Sequence, residues 1–320
     1  MDLGRMLEKC VRDQWSIDDL DWSLPPPTLD RDKEEAVVQA FIDMSGIELL
    51  AGALFEVQRD KTKDPTLKKI FSTFVADEKR HSAVAARLAK HYDVHHYREY
   101  KESESLTKFR PHFLALARKA SPEIANAYIT SGELILDVAL LRSLDDYVAD
   151  EMSHRAMHLI NRDESRHIAI DFHMTEHYSS DEYLAHLRTR RRPSMRELAS
   201  GLRALVTMMW HARPFLQEVF LAPMDRTDPS GRRVQEAFKR IQLVMRKPTV
   251  ARQPFSKFMI GTQNLYNHPI WGRLFGPLFL RALGAEDRAA RFLFTREELE
   301  RSQRMSFEEL AEEAVAAKYS

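Results

Sequence analysis

One spaced motif occurs twice in this chain, and it constrains the fold more than any other feature. Each copy is a Glu followed, on the next predicted helix, by Asp-Glu-x-Arg-His. Glu48 precedes the segment 77–81 and Glu133 precedes the segment 163–167, with Glu-to-Glu spacings of 30 and 31 residues. Two such half-sites supply four carboxylates and two imidazoles, the ligand set with which helical bundles hold two bridged metal ions. The duplication therefore predicts two helical hairpins that carry matching ligands.

The amino-acid composition narrows the possible classes of fold and function. The 48 Lys and Arg residues balance 48 Asp and Glu residues, so no global basic field predicts nucleic-acid binding. The single cysteine, Cys10, excludes a disulfide framework and a cysteine-held iron–sulfur cluster. We see neither a secretory signal nor a run of about 18 apolar residues, and therefore expect a cytoplasmic protein without a transmembrane segment. Only 10 glycines and long stretches without proline predict an all-α fold.

The chain divides into three predicted regions. Residues 1–31 are expected to form an N-terminal arm, because three consecutive prolines, 25–27, stop any helix there. Residues 32–178 are expected to form a ferritin-like four-helix bundle that carries the metal site. Its predicted helices cover roughly 32–60, 66–92, the stretch from 121 onward, and 150–177, with 94–106 as a crossover or short helix. Residues 179–320 are expected to be a helical extension packed on this bundle.

The first hairpin brings its two glutamates to the same level. Glu48 lies 12 residues before Asp60, and Glu78 lies 13 residues after Pro65. At about 1.5 Å per residue, both lie roughly 18–20 Å from the shared turn. The second hairpin does the same if its turn lies near residues 145–150.

The motif carboxylates fall within apolar helical stripes, which indicates metal binding. Burying a lone carboxylate costs several kcal/mol even after relaxation, so four at one depth require cations. One Glu-x-x-His on a helix is common, and unrelated surface carboxylates are the alternative interpretation. Glu151 and His154 also form a Glu-x-x-His. They follow Glu133 too closely in the sequence to complete a matching hairpin, so we interpret them as ordinary helix or surface residues rather than ligands. The predicted metal ligands are Glu48, Glu78, His81, Glu133, Glu164 and His167.

Other motif residues are expected to support the ligands. A metal-bound histidine usually donates its second N–H to a carboxylate, and Asp77 and Asp163 are the candidates, each serving the histidine of the opposite hairpin. Arg80 and Arg166 are expected to pair with these aspartates.

Two further carboxylates belong to the second hairpin alone. Asp137 and Asp171 each follow a predicted ligand by one helical turn, where the first hairpin has Gly52 and Ala85. Each is a candidate proton donor, salt-bridge residue or extra ligand, and we favour a supporting role over direct ligation.

The two Asp-Glu-x-Arg-His segments resemble those of the ferritin-like di-iron carboxylate superfamily. They match bacterial multicomponent monooxygenases and are similar to soluble acyl-carrier-protein desaturases, while the class I ribonucleotide reductase small subunit shares the ligand plan. The resemblance covers about residues 32–178. It implies one iron ion on each motif copy, with Glu78 and Glu164 able to bridge. The mixed ligand set suits iron or manganese, so an Mn/Fe pair stays open.

The resemblance implies an enzyme that activates O2 to oxidise a small organic or acyl substrate. Hydroxylation, desaturation, N-oxidation and C–C cleavage stay open, although Ile160 replaces a histidine typical of arylamine N-oxygenases. We see no flavin, ferredoxin or nicotinamide motif, so an electron-donor protein is an expected partner. The alternatives are a di-metal hydrolase or an O2 or peroxide scavenger, and a non-catalytic binding protein.

Two features of the extension bear on partners. Arg188 and Arg190–Arg192 form a basic cluster that would suit an acidic partner, although a solvated loop is the simpler interpretation. The apolar residues near 270–280 indicate core packing or a homodimer face, with contact to a lipid surface as the alternative.

Overall fold

The protein is all-α over the residues that the computed structural model describes, which are 1–189, 194–274, 276, 280 and 287–319. No strand occurs within these ranges, so the predicted fold class is confirmed. The first helices are α1 (Leu3–Arg12), α2 (Arg31–Lys61), α3 (Pro65–Tyr92) and α4 (Glu104–Lys119). The next are α5 (Pro122–Ile135), α6 (Arg142–Val148), α7 (Glu151–Ser179) and α8 (Asp181–Thr189). The later ones are α9 (Met195–Phe215), α10 (Ala222–Thr227), α11 (Arg232–Met245), α12 (Pro254–Tyr266), α13 (Asp287–Ala290), α14 (Arg296–Arg304) and α15 (Phe307–Ala316).

Local sequence signals set where the four long helices begin. The Asp30 side chain accepts a hydrogen bond from the third amide of α2, and the Asp64 side chain caps α3 in the same way. Pro65 and Pro122 occupy the first positions of α3 and α5, where a missing N–H costs nothing. Asp150 caps α7 by accepting from a first-turn amide. The boundaries of these helices therefore follow from the sequence.

The two predicted hairpins are present. Helix α2 packs along α3, α5 packs along α7, and contacts of α2 with α5 and of α3 with α7 close the ring. Large apolar side chains fill this ring, and Phe41, Phe55 and Phe74 are fully buried. The second hairpin turns at Ala149, whose φ of 58° ends α6 in the left-handed conformation. Its turn thus lies within the predicted stretch.

The first arm of the second hairpin is not a uniform α-helix. A π-helical turn, Leu136–Leu141, joins α5 to α6 directly after the Glu133 position. Such turns accommodate an extra residue and are frequent at functional sites. This irregularity matches the second motif spacing, which is one residue longer than the first.

Helix α4 was not predicted over its full length. It runs beyond the polar stretch 94–106 and contains Pro111 in its interior. Leu106 and Phe109 on this helix are buried, and α4 packs against α2 and α9. Tertiary packing therefore stabilises a helix that its proline disfavours.

Both chain ends pack on the four long helices. Helix α1 contacts α3 and α7, α11 contacts α5 and the π-helical turn, and α15 contacts α7. Residues 1–31 are consequently part of the packed structure near the predicted site.

Two helical stretches, Arg31–Lys61 and Pro122–Val148, are long and apolar enough to cross a membrane by length and composition. Within their apolar windows, 61% and 67% of the residues are buried inside the protein. Buried core helices pass the same test, so this property alone does not place the chain in a membrane.

Some predicted surface features lie outside the described residues. These are Arg190–Arg192 of the basic cluster and Phe275, Leu278 and Phe279 of the apolar set. Leu280 of the same set is buried, as core packing predicts. Ile270, Trp271 and Leu274 are 62%, 50% and 65% exposed, so these three are not core of this chain. A homodimer stays a prediction.

Candidate metal centre

The four long helices bring all six predicted ligands together in the core. Five of the side chains belong to residues that are fully buried, and Glu133 is 3% exposed. Helix α2 supplies one carboxylate, α3 a carboxylate and an imidazole, α5 one carboxylate, and α7 a carboxylate and an imidazole. Each ligand faces inward because it continues an apolar stripe of its own helix.

The six side chains form two overlapping groups. One consists of Glu48, Glu78, His81 and Glu164, and the other of Glu78, Glu133, Glu164 and His167. Within each group, one ligand atom per residue lies within 4.8 Å of the corresponding atoms of the others. Glu78 and Glu164 belong to both groups. Two carboxylates shared by two adjacent groups are what a carboxylate-bridged pair of cations requires.

Unpaired oxygens in this cluster fit such cations. Among the described residues, both carboxylate oxygens of Glu48 and of Glu78 are buried without a hydrogen-bond partner. The same is true of Glu133 Oε2 and Glu164 Oε1. Buried carboxylates in proteins are otherwise paired or hydrogen-bonded, and Glu48 has neither kind of partner among the described residues, which is compatible with a cation completing the site.

Both histidines direct Nδ1 toward the carboxylates. His81 Nδ1 lies 2.9 Å from Glu164 Oε1 without hydrogen-bond geometry, as expected for two atoms that point at a common centre. His167 Nδ1 lies 2.8 Å from Glu164 Oε2 and 3.1 Å from Glu78 Oε1.

The other ring nitrogen of each histidine faces an aspartate of the opposite hairpin. His81 Nε2 lies 3.2 Å from Asp163 Oδ2, and His167 Nε2 lies 3.4 Å from Asp77 Oδ2. A carboxylate at Nε2 favours the tautomer that carries its proton there and leaves the Nδ1 lone pair for a metal. This crossed arrangement is the one that the sequence predicted.

Two arginines hold the aspartates in place. Arg166 donates to Asp163 Oδ1 at 2.7 Å and to Asp77 Oδ2 at 3.3 Å, and its side chain is fully buried. Arg80 donates to Asp77 and, at 3.3 Å, to Asp163 Oδ2. Each arginine therefore links the two hairpins, which also makes the supporting network continuous across the site.

The charges of the cluster shift the pKa values of its members. Burial raises the pKa of Glu48 and Glu133 well above the usual carboxyl range, and neighbouring carboxylates add to this. Burial acts to lower the pKa of His81 and His167, but adjacent carboxylates raise both well above the ordinary imidazole value. Without metal, the site thus retains protons on groups that a cation needs deprotonated.

The N-terminal segment contributes residues that the sequence did not reveal. The Trp15 indole donates to Asp163 Oδ2 at 2.6 Å and stacks on His81 with ring centroids 6.4 Å apart. Gln14 Nε2 donates to Asp77 Oδ1 at 3.0 Å. No repeat or motif in residues 1–31 marks these roles. Only the packing of α1 on the bundle brings them to the supporting aspartates.

The C-terminal segment contributes a buried cation. Lys318 Nζ lies 3.1 Å from Asp137 Oδ2, and both side chains are at most 1% exposed. Burial raises the pKa of Asp137 to about 8, although the lysine opposes this rise. Asp171 is fully buried, and neither of its carboxylate oxygens has a hydrogen-bond partner in the described part of the chain. Neither aspartate belongs to the two ligand groups.

Gly52, which corresponds to Asp137 in the first hairpin, lies against a shared ligand. A Cβ at this position would lie 3.2 Å from Glu78 Cβ, tighter than most such contacts. A larger side chain at this position of the first hairpin would therefore press on Glu78, a shared ligand.

The remaining Glu-x-x-His lies elsewhere. His154 Nδ1 lies 3.2 Å from Asp145 Oδ2, and its side chain is 70% exposed. It is a surface histidine beside the turn of the second hairpin.

Comparison with known proteins assigns neither a family nor a function to this chain. No family model, curated protein or solved structure matches this chain.

Proposed function

We propose that this protein is a non-heme di-iron enzyme that uses O2 to oxidise an organic substrate. One observation carries the proposal: two mirrored hairpins converge six donor side chains into two groups that share Glu78 and Glu164. Two iron ions held there would supply redox equivalents and open coordination positions for the activation of dioxygen. An Mn/Fe pair would use the same ligands.

The supporting residues orient the ligands for this role. The crossed aspartates accept from Nε2 of each imidazole and so direct Nδ1 at the metal positions. Because the arginines and Trp15 hold the aspartates, both imidazole rings are already oriented toward the carboxylate cluster, and a cation would displace the protons that the metal-free site retains.

The surroundings of His167 exclude water from the site. Its ring lies with centroid distances of 4.1 Å from Phe74 and 5.0 Å from Phe55. A dry environment strengthens the electrostatic interactions among ligands and protects a reactive site from side reactions.

The first test is metal content after expression in iron-rich medium. We expect about two metal ions per chain, and a lower content in Glu78→Ala and His167→Ala. His154→Ala is the matched control, since it removes a histidine of a Glu-x-x-His outside the site, and it should keep full content. Full content in all three variants would refute the ligand assignment.

The second test is mixing of the reduced, iron-loaded protein with O2 in a stopped-flow spectrometer. We expect a transient absorbance and O2 uptake that the metal-free protein lacks. Two bound metals without any reaction with O2 would reject the oxygenase and leave a hydrolase or a binding protein.

A further inference from the structure

Helix α12 exposes apolar side chains and buries polar ones. Phe258 and Leu265 share one face of the helix and are 55% and 40% exposed. Ser256 and Gln263 lie on the opposite face and are 2% and 5% exposed. Gln263 accepts a hydrogen bond from Arg246 at 2.6 Å, so the polar face is used inside the protein. A surface helix of a globular protein normally has the reverse arrangement, and the apolar face of α12 is thus left for an outside contact.

The chain directly after α12 extends this apolar face. Ile270, Trp271 and Leu274 are more than half-exposed or half-exposed, as described above. Gly272 lies against the backbone oxygen of Tyr266, where a Cβ would have no room, so this turn folds back on the end of the helix. The exposed apolar residues of the helix and of the turn are therefore neighbours. Monomeric proteins seldom expose such a set without a binding partner.

The exposed cations on this segment have no acidic partner. Lys257 and Arg273 are exposed, and neither forms an ion pair within the described part of the chain. Asp287 bonds the Tyr266 hydroxyl at the end of α12, but Arg291 compensates its charge at 2.6 Å. We use the name α12 surface for these two cations together with the five exposed apolar residues, which are Phe258, Leu265, Ile270, Trp271 and Leu274.

The sequence around the α12 surface carries charge of one sign. Residues 237–285 contain eight Lys and Arg and no Asp or Glu. With 48 acidic residues in a chain of 320, a stretch of this length would hold about seven on average. Other cations of the stretch find acids on distant segments, as Arg240 does with Glu313 at 2.7 Å. Lys257 and Arg273 do not, so the α12 surface presents uncompensated positive charge beside its apolar side chains.

This combination fits an anionic lipid surface better than a second copy of the chain. A two-fold interface presents the same patch from both subunits, so Lys257 and Arg273 would face cations again. A membrane with anionic lipids attracts lysine and arginine, and its headgroup boundary accepts protruding aliphatic and aromatic side chains. Tryptophan is enriched at this boundary.

We propose that the α12 surface binds the face of an anionic lipid bilayer. Phe258, Leu265 and Ile270 enter the boundary between headgroups and acyl chains, while Lys257 and Arg273 meet the lipid phosphates. Helix α12 has 13 residues, and a membrane-spanning helix needs about 20. The protein therefore lies on the bilayer through this surface without α12 crossing it. This binding does not depend on the proposed metal chemistry.

The experiment is co-sedimentation of the purified full chain with vesicles at low ionic strength. One set of vesicles is phosphatidylcholine alone, and the other contains an equal part of phosphatidylglycerol. We expect binding to the anionic vesicles to be at least tenfold tighter, and to weaken when salt is added. Equal binding to both sets would overturn the proposal. Binding to neither would also overturn it and would favour an acidic protein as the partner.

Two double variants locate the contact. Phe258→Ser with Leu265→Ser removes inserted apolar area and should weaken binding at least tenfold. Lys257→Gln with Arg273→Gln should weaken it roughly 30-fold, or about fivefold for each cation. All four side chains are exposed, so both variants should keep the fold, which circular dichroism checks.

The matched control is Lys68→Gln with Lys69→Gln. It makes the same change in net charge at two exposed lysines of α3 and should leave binding unchanged. Binding that survives in both α12 variants, or an equal loss in the α3 variant, would place the contact elsewhere. Sedimentation equilibrium without lipid tests the second copy, because a dimer that Phe258→Ser with Leu265→Ser dissociates would overturn the membrane contact.

Discussion

The two half-sites carry the same ligands in different surroundings. In the first hairpin, small residues follow the ligands by one turn, and Gly52 lies directly against Glu78. In the second, Asp137 and Asp171 occupy the corresponding positions, a π-helical turn follows Glu133, and Lys318 reaches in from the C-terminal segment. A surface cleft lined by α5, α7 and α11 also opens along this second hairpin. The comparison teaches that ligand geometry is duplicated while the additional buried charges are concentrated in the second hairpin.

The largest expected effect is the loss of metal content when a shared ligand is removed, compared with the loss when an unshared ligand is removed. Glu164→Ala removes a carboxylate that belongs to both groups and should reduce metal content from about two ions to near zero. Glu48→Ala and Glu133→Ala each remove a ligand of one group and should leave about one ion. Elemental analysis of purified protein measures all three. Equal losses in the three variants would mean that Glu164 is not shared.

The second effect concerns the buried cation of the second half-site. Lys318→Met leaves Asp137 buried without its partner and should destabilise the protein by about 3 kcal/mol in chemical denaturation above pH 8, where the wild-type Asp137 carboxyl is ionised. The double variant Lys318→Met with Asp137→Leu removes both charges and should recover most of this loss. If the double variant is as unstable as the single one, the pair does not stabilise the protein through its charges. The difference between the two half-sites would then have no electrostatic cause.

A smaller effect tests how the N-terminal segment supports the site. Trp15→Phe removes the hydrogen bond to the Asp163 carboxylate and should cost about 2 kcal/mol. Trp22→Phe is the matched control, since the Trp22 indole donates to the neutral backbone oxygen of Ile17 at 2.8 Å. Its cost should be about 1 kcal/mol. Thermal denaturation of both variants measures the difference, and equal costs would argue against a charged partner for Trp15.

The smallest effect compares one glycine from each hairpin. Gly132 has nothing within 4 Å of an added Cβ, so Gly132→Ala should stabilise the protein by about 0.5–1 kcal/mol through helix propensity. Gly52→Ala should gain nothing, because its Cβ would press on Glu78 at 3.2 Å. Denaturation midpoints separate the two. Stabilisation by both substitutions would show that the first hairpin has unused space beside its ligand.

Residues on regular helices near the motif were predictable from sequence, whereas those on distant segments were not. Asp77 and Asp163 were found because a fixed offset from each histidine places them on the same helix. Trp15 and Lys318 lie 148 and 181 residues from Asp163 and Asp137 along the chain, without any periodic relation to them.

The sequence by itself determined the all-α class, the two hairpins and the six donors on their inner faces. It could do so because helical periodicity and capping are local, and a repeated spacing reports a repeated geometry. Only the tertiary structure decided that both chain ends pack beside the site, that α4 forms despite Pro111, and that one hairpin borders a surface cleft. These features depend on contacts between segments far apart in the chain, for which neither composition nor periodicity carries a signal.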